Sequence, residues 1–205
     1  MMNSWRIVAG LGCLAFGLAC SPIHAMPLTY KIAPGSTDIG FTVDVLGLTS
    51  CSGEFSKFSG NLTVDLDQPE LSAVDVKIDA NSAAMEWSLG TQMILGASYL
   101  DADHYPVLQF VSDHVAMLSD GKVKMDGILT LRGISHQESF VADLSGRHWN
   151  KDKEAEQADF TATGTVKRSD YRMDRDQGLL DDQVTFTIHA RLLLTSNGFN
   201  SASAH

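Results

Sequence analysis

The chain has 205 residues, 44% of them hydrophobic, and a formal net charge of −10. That length suits a single domain with a proper core. The acidic balance argues against nucleic acid or an anionic membrane surface as the working partner.

The opening stretch, "MMNSWRIVAGLGCLAFGLACSPIHA", has one basic residue, Arg6, then an apolar run from Ile7 to Ala19, with Pro22 and the small Ala25 behind it. This is the layout of a cleavable secretory signal peptide, and the run is short for a membrane span. Residues 1–25 are therefore expected to be removed and the product to be periplasmic. Domain 26–195 is left with a polar, disordered tail over 196–205. A rival reading takes "GLAC" as a lipoprotein box around Cys20, but Gly17 stands where such boxes usually carry Leu. Cleavage after Ala25 also removes Cys13 and Cys20, so Cys51 has no partner for an intrachain disulfide.

From there the sequence alternates. A short strand around "TYKIA" is followed by "DIGFTVDVLGL", where Ile39, Phe41, Val43 and Val45 share one face. "NLTVDL", "AVDVKIDA", "VLQFVSDHVAML", "KVKMDGILTLRG", "QESFVADL" and "DFTATGTVKR" repeat the two-residue period. "QVTFTIHARLLL" closes the series, with Val184, Phe186, Ile188, Ala190 and Leu192 opposite Thr185, Thr187 and His189. Such alternation marks half-buried strands, and "APGS", "LDQPE", "SDGK" and "DQGLLDD" are turn compositions between them. Eight or nine strands joined this way predict an all-β antiparallel barrel or sandwich. Residues 82–106 break the period. Trp87, Met93, Ile94 and Leu100 there predict one or two short helices, interrupted by Gly90 and Gly96 and ended by Pro106. The polar "RHWNKDKEAEQ" reads as an exposed loop.

No catalytic constellation emerges. "GASYL" lacks the last glycine of a nucleophile elbow, and Cys51 has no C-x-x-C partner. The histidines are not spaced as a zinc set, and His189 falls on the polar parity of its strand. "DADH" reads as turn chemistry, while "DRDQGLLDD" lacks the Glu that closes a calcium loop.

Three stretches, "SYLDADHYPVLQFVS", "GILTLRGISHQESF" and "FTATGTVKRSDYRMD", resemble the YceI-like exported proteins, the polyisoprenoid-binding lipocalin-like family. "YKIAPGSTDIGFTV" and "SGEFSKFSGNLTVDL" follow the same order, so the resemblance runs from about Tyr30 to Leu194. It implies an eight-stranded antiparallel lipocalin-like barrel with a short helical insertion, an apolar tunnel for an isoprenoid tail, no catalysis, and often a homodimer. The chain departs from the pattern at Asp44-Val45-Leu46, at Arg172 and at Gly90-Thr91-Gln92. All three departures fall near the expected lipid head group.

An eight-stranded barrel has room inside for its own side chains or for one small ligand. Gly127, Ala142, Ala162, Gly164 and Ala190 on the inward parity leave space, and about twenty buried carbons would gain roughly 15 kcal/mol gross at about 0.8 per methylene, less ordering costs. The expected tail-lining set is Phe41, Val43, Val76, Phe110, Leu129, Phe160, Phe186 and Ile188 on strands, with Met93, Ile94 and Tyr99 from the insertion at the tunnel mouth. The leading reading is a non-catalytic periplasmic carrier of a bound isoprenoid lipid, ubiquinone-like or polyprenyl, with no catalytic cofactor and no metal. Lipid delivery would bring transient contact with a membrane or membrane protein. The alternative is a closed, packed barrel acting as a protein-interaction module. A cavity hydrolase or isomerase has no motif behind it.

Overall fold

The computed structural model describes residues 28–65 and 68–194. The expected signal peptide, 1–25, and the whole of the expected tail, 196–205, lie outside those residues. Eleven strands are present: β1 (Leu28–Ile32), β2 (Thr37–Val45), β3 (Thr49–Phe55), β4 (Phe58–Val64), β5 (Ala73–Asp79), β6 (Ala83–Met85), β7 (Val107–Met117), β8 (Val123–Leu131), β9 (Ile134–Asn150), β10 (Ala155–Lys167) and β11 (Leu180–Leu194). One helix, α1 (Ser88–Leu95), lies between β6 and β7.

All the ladders are antiparallel, in the order β1-β4-β5-β7-β8-β9-β10-β11-β2-β3-β6. The eleven strands reduce to eight runs of chain, because β1–β2, β3–β4 and β5–β6 are each one run broken by a bend. At the bend between β3 and β4, the Lys57 N–H donates to Ser82 Oγ (3.0 Å) and the Asp79 N–H donates to the Lys57 carbonyl (2.9 Å). Ser82 Oγ in turn donates to the Asp79 carbonyl (2.7 Å), so both bent runs are held side by side. With β11 paired to β2, the eight runs form an up-and-down ring in chain order. This is the expected eight-stranded barrel, divided into eleven ladders by its bends.

Two sequence expectations change. "TSCSGEF", which was not counted as a strand, is β3, because Cys51 and Phe55 face inward opposite Val43 and Ile39. "RHWNKDKEAEQ" is not a loop. Residues 147–150 extend β9, Ala155–Gln157 begin β10, and only Lys151–Glu154 turn. The mostly polar sequence disguises these two strand ends.

The buried side chains form one core, and part of it is tightly interlocked: Leu108, Phe110, Leu129 and Phe140 are buried, and the Phe110 and Phe140 rings meet edge to face at 4.9 Å. The small inward residues there do not leave open space. A Cβ on Gly164 would stand 2.5 Å from the Phe140 ring, and one on Gly127 would stand 2.9 Å from the Phe110 ring. At Gly164 the Phe140 ring of the neighbouring strand takes the place of the missing side chain, whereas at Gly127 the β7 backbone comes closest, with the Val111 carbonyl oxygen 2.3 Å from that Cβ position.

Candidate functional site

Because the eight runs alternate in direction, their connections alternate between the two ends of the barrel. One end collects the β2–β3 turn at Leu46–Leu48, residues 86–106 with α1, the β8–β9 turn at Arg132–Gly133, and residues 168–179 between β10 and β11. The other end has the connections at 65–72, 118–122 and 151–154. Positive φ angles outside glycine concentrate at the first end: Leu46, Asp101, Arg132, Arg172 and Asp176, against Glu154 at the other. Backbone of this kind costs about 1 kcal/mol or more per residue and gathers where loops are held for a purpose.

Beneath the first end lies a cavity of about 150 Å³ with an almost wholly apolar lining. Its strand walls are Phe41, Val43, Cys51, Phe55, Leu131, Val166, Val184 and Phe186. The α1 segment adds Met85, Trp87, Gly90, Met93, Ile94, Tyr99 and Leu100, and the 168–180 connection adds Arg168, Met173 and Leu180. Trp87, the residue before α1, lays its indole across the helix: a Cβ on Gly90 would fall 2.4 Å from the ring. Gly90 is thus the seat for an aromatic side chain at the opening.

Of the residues expected from the sequence to hold a ligand, Phe41, Val43, Met93, Ile94, Tyr99 and Phe186 surround this cavity. Phe110, Leu129, Val76 and Ile188 belong to the packed core instead, and Phe160 is half-buried on β10, opposite Ala190. Cys51, which has no C-x-x-C partner in the sequence, is a free thiol in the cavity wall. His189 is exposed, as its parity indicated.

The polar groups at this end hold the connections in place. Arg168 is 3% exposed, and its guanidinium donates only to main-chain carbonyls: Nε to Asp181 (2.9 Å), Nη1 to Met173 (3.0 Å) and Arg175 (3.1 Å), Nη2 to Leu180 (3.3 Å). One side chain therefore ties down the whole loop that forms one lip of the opening. Arg168 continues the inward parity of Phe160, Ala162, Gly164 and Val166. A charged residue on an otherwise apolar strand face is the sequence signal that marks it. Beside it, Asp182 accepts from the Ser169 N–H (2.9 Å) and hydroxyl (2.7 Å), chiefly through which its carboxyl is held below the usual aspartate range. The Tyr99 hydroxyl donates to the Asp176 carboxylate. Burial, then that bond, pushes the Tyr99 pKa up to about 12.

A second polar group seals the barrel under the same loop. Tyr171 is fully buried and donates to Glu138 Oε1 (3.0 Å), while the His136 ring stands edge-on to it at 5.1 Å. Burial raises the Glu138 pKa above the usual glutamate value, more than the Tyr171 bond lowers it. Among the described residues, no group of three or more His, Cys, Asp or Glu side chains is placed to hold a metal ion. No helix among them is long and apolar enough to cross a membrane.

Residues 30–192 match the sequence model of the YceI-like domain family. A UPF0312 protein of Pseudomonas putida (strain W619) is 32% identical over 162 residues, covering 77% of this chain and 83% of that protein. The crystal structure of Burkholderia cenocepacia BcnA superposes with a TM-score of 0.67 at 19% identity, over 76% of this chain and 96% of that one. A polyisoprenoid binding domain from Saccharophagus degradans, implicated in plant cell wall breakdown, superposes with a TM-score of 0.53 at 11% identity, over 81% of this chain and 98% of that one. At these identities both likenesses concern the fold.

Proposed function

The chain belongs to the YceI-like family, and from that premise we propose that it is a binding protein and not an enzyme, a periplasmic carrier that holds the tail of an isoprenoid lipid in the cavity below α1. The observation that carries this reading is the cavity's chemistry: an apolar pocket at the end of the barrel where the long connections gather, with the Arg168 donors already engaged by carbonyls. Such a wall rewards hydrocarbon burial and offers little to a charged or sugar-like ligand. The polyisoprenoid-binding relative by fold supports the same ligand class.

The volume sharpens the picture. Dry cavities near 150 Å³ take ligands of about benzene size, so the closed cavity accommodates about one isoprene unit. A longer tail requires Trp87, Met93 and the 172–179 loop to move outward, and the head group, of quinone or polyprenyl type, then stays at the opening. Native mass spectrometry of the purified protein, followed by lipid extraction, tests this directly. A mass increment that dissociates as an isoprenoid lipid is expected. Bare protein that takes up neither a quinone nor a polyprenyl lipid would overturn the carrier reading, leaving a packed barrel that works through its outer surface.

A further inference from the structure

We propose that the cavity end of the barrel docks onto a lipid bilayer, with Leu46, Leu48, Leu89 and Leu179 entering the interfacial layer and arginines meeting the phosphates. The inference rests on the carrier reading and adds the surface from which the ligand is exchanged. Leu48 is 86% exposed at the tip of the β2–β3 turn, Leu46 is 61% exposed beside it, and Leu89 is 61% exposed on α1. Trp87, Met93 and Leu179 are also exposed. The Leu46 N–H donates to the Leu179 carbonyl (2.9 Å), which binds two of these tips together, and Trp87 and Met93 line the cavity itself. Large apolar side chains rarely cluster in water around one opening without a surface to meet. Leu46 also takes a φ of 53°, a conformation costly for leucine, and it holds the side chain at the tip of a tight turn.

Charge chooses between the candidate surfaces. Arg132 donates to the carbonyls of Arg172 (2.8 Å) and Ala97 (3.1 Å), and Arg172 and Arg175 stand exposed on the adjoining loop. Glu86, Asp101, Asp103, Asp170, Asp174 and Asp176 lie on the same connections, so this end is mildly acidic overall and suits a zwitterionic bilayer better than an anionic one. Guanidinium groups beside exposed leucines fit a phosphate layer over hydrocarbon, where the apolar side chains supply most of the binding and the cations add short-range contacts. A second copy fits less well, since two such rims pressed together would close both cavities. The separate tips also surround an opening, a shape that a soft surface follows more readily than a flat protein face does.

The test uses the full chain, loaded with its co-purified lipid, and phosphatidylcholine vesicles in a flotation assay. Parent protein should co-float, and the bound fraction should survive raised salt because apolar insertion carries it. Leu48→Asp with Leu89→Asp should lower binding by at least about tenfold, from two leucines kept out of the interface. Leu71→Asp, at the opposite end, should bind like the parent. Equal behaviour of the two variants, or no parental binding, overturns the proposal. So does a parental dimer that the rim double variant dissociates, which would assign the surface to a second copy. Native mass spectra of the same samples separate the two readings: lipid retained without flotation rejects docking alone, whereas flotation of protein that never carries lipid rejects the carrier.

Discussion

The two ends of the barrel are built from the same alternating strands and differ in what closes them. At the far end, short connections such as Leu118–Lys122 and Lys151–Glu154 turn the chain, and in the barrel wall side chains interlock, Phe140 over Gly164 and Phe110 beside Gly127. At the cavity end the connections are longer, five of the six non-glycine residues with positive φ occur there, and a single buried arginine holds one of them. The interlocked wall is held by packing, whereas the cavity end keeps space open and its loops rely on hydrogen bonds.

The largest expected effect tests that division. Phe140→Ala removes a ring that fills the place of a missing side chain, and it should cost about 3–5 kcal/mol, read as a lowered denaturation midpoint with the m value unchanged. Met93→Ala, on the exposed side of the opening, should cost well under 1 kcal/mol and act instead on lipid retention. Comparable losses of stability from the two variants would erase the distinction between a packed wall and an open end.

Next in size is Arg168→Leu. It leaves the carbonyls of Met173, Arg175, Leu180 and Asp181 without their donor. Hydrogen bonds from a charged group contribute about 1.5–3 kcal/mol each, less where water replaces the donor, so a loss of about 3 kcal/mol is expected. Hydrogen exchange should show where that loss falls. Protection should disappear over residues 172–180 and persist in β7–β9. Uniform loss across the barrel would mean that Arg168 supports the core and not the lip.

Smaller still is Gly90→Ala. In the sequence Gly90 and Gly96 interrupt the helical pattern, and a glycine within a helix costs about 1 kcal/mol relative to alanine. The structure assigns Gly90 a different duty, since an added Cβ would collide with the Trp87 indole. The variant should therefore dislodge Trp87, at a cost of about 1–2 kcal/mol, and speed lipid exchange with vesicles. Red-shifted Trp87 emission in a Trp149→Phe background would report the displacement. Gly96→Ala, whose Cβ would meet only main-chain carbonyl oxygens at 3.3 Å or more, should leave both readouts near parental values.

What could be read from the sequence follows the same split. The strands of the packed wall showed their period plainly because both partners in each ladder are alternating. The bend at "APGS" shows in its turn composition, but the other two are invisible, since Ser56-Lys57 and Ala80-Ser82 bend the chain through hydrogen bonds that exist only once the two runs lie side by side. Among the cavity residues, Phe41, Val43 and Phe186 could be reached by parity, and Met93, Ile94 and Tyr99 by the broken period around α1. Met173 could not, because loop composition does not say which side chain turns inward, and neither could Cys51 or Leu180, which lie where β3 and the start of β11 show no clear alternation. The small residues misled. Glycine on an inward face is consistent either with a hole or with a neighbour's ring, and the neighbour is named only by the ladder register.

The smallest effect concerns Glu138, the acid closed in beneath the cavity-end loop. Its folded pKa lies above the usual glutamate value of 4.5, with burial the largest cause. A carboxyl raised in this way contributes stability that is fully present below its unfolded pKa and lost as pH rises through the folded one. Between the ordinary glutamate range and neutrality, then, the folded protein should become slightly less stable with rising pH. Asp120, Asp126 and Asp182, whose pKa values are lowered, act in the opposite sense and in a lower window: their contribution is lost as pH falls below the aspartate range. His104, whose pKa is raised chiefly by its hydrogen bond to Asp101, slopes the same way as Glu138 but only as pH rises past the ordinary histidine value. Glu138→Gln keeps an acceptor for the Tyr171 hydroxyl and removes the titration, so denaturation midpoints taken between the ordinary glutamate and histidine values should lose the downward slope expected of the parent. A slope that persists in the variant would show that another group drives it, and that Tyr171 and Glu138 close the barrel by packing with no cost in charge.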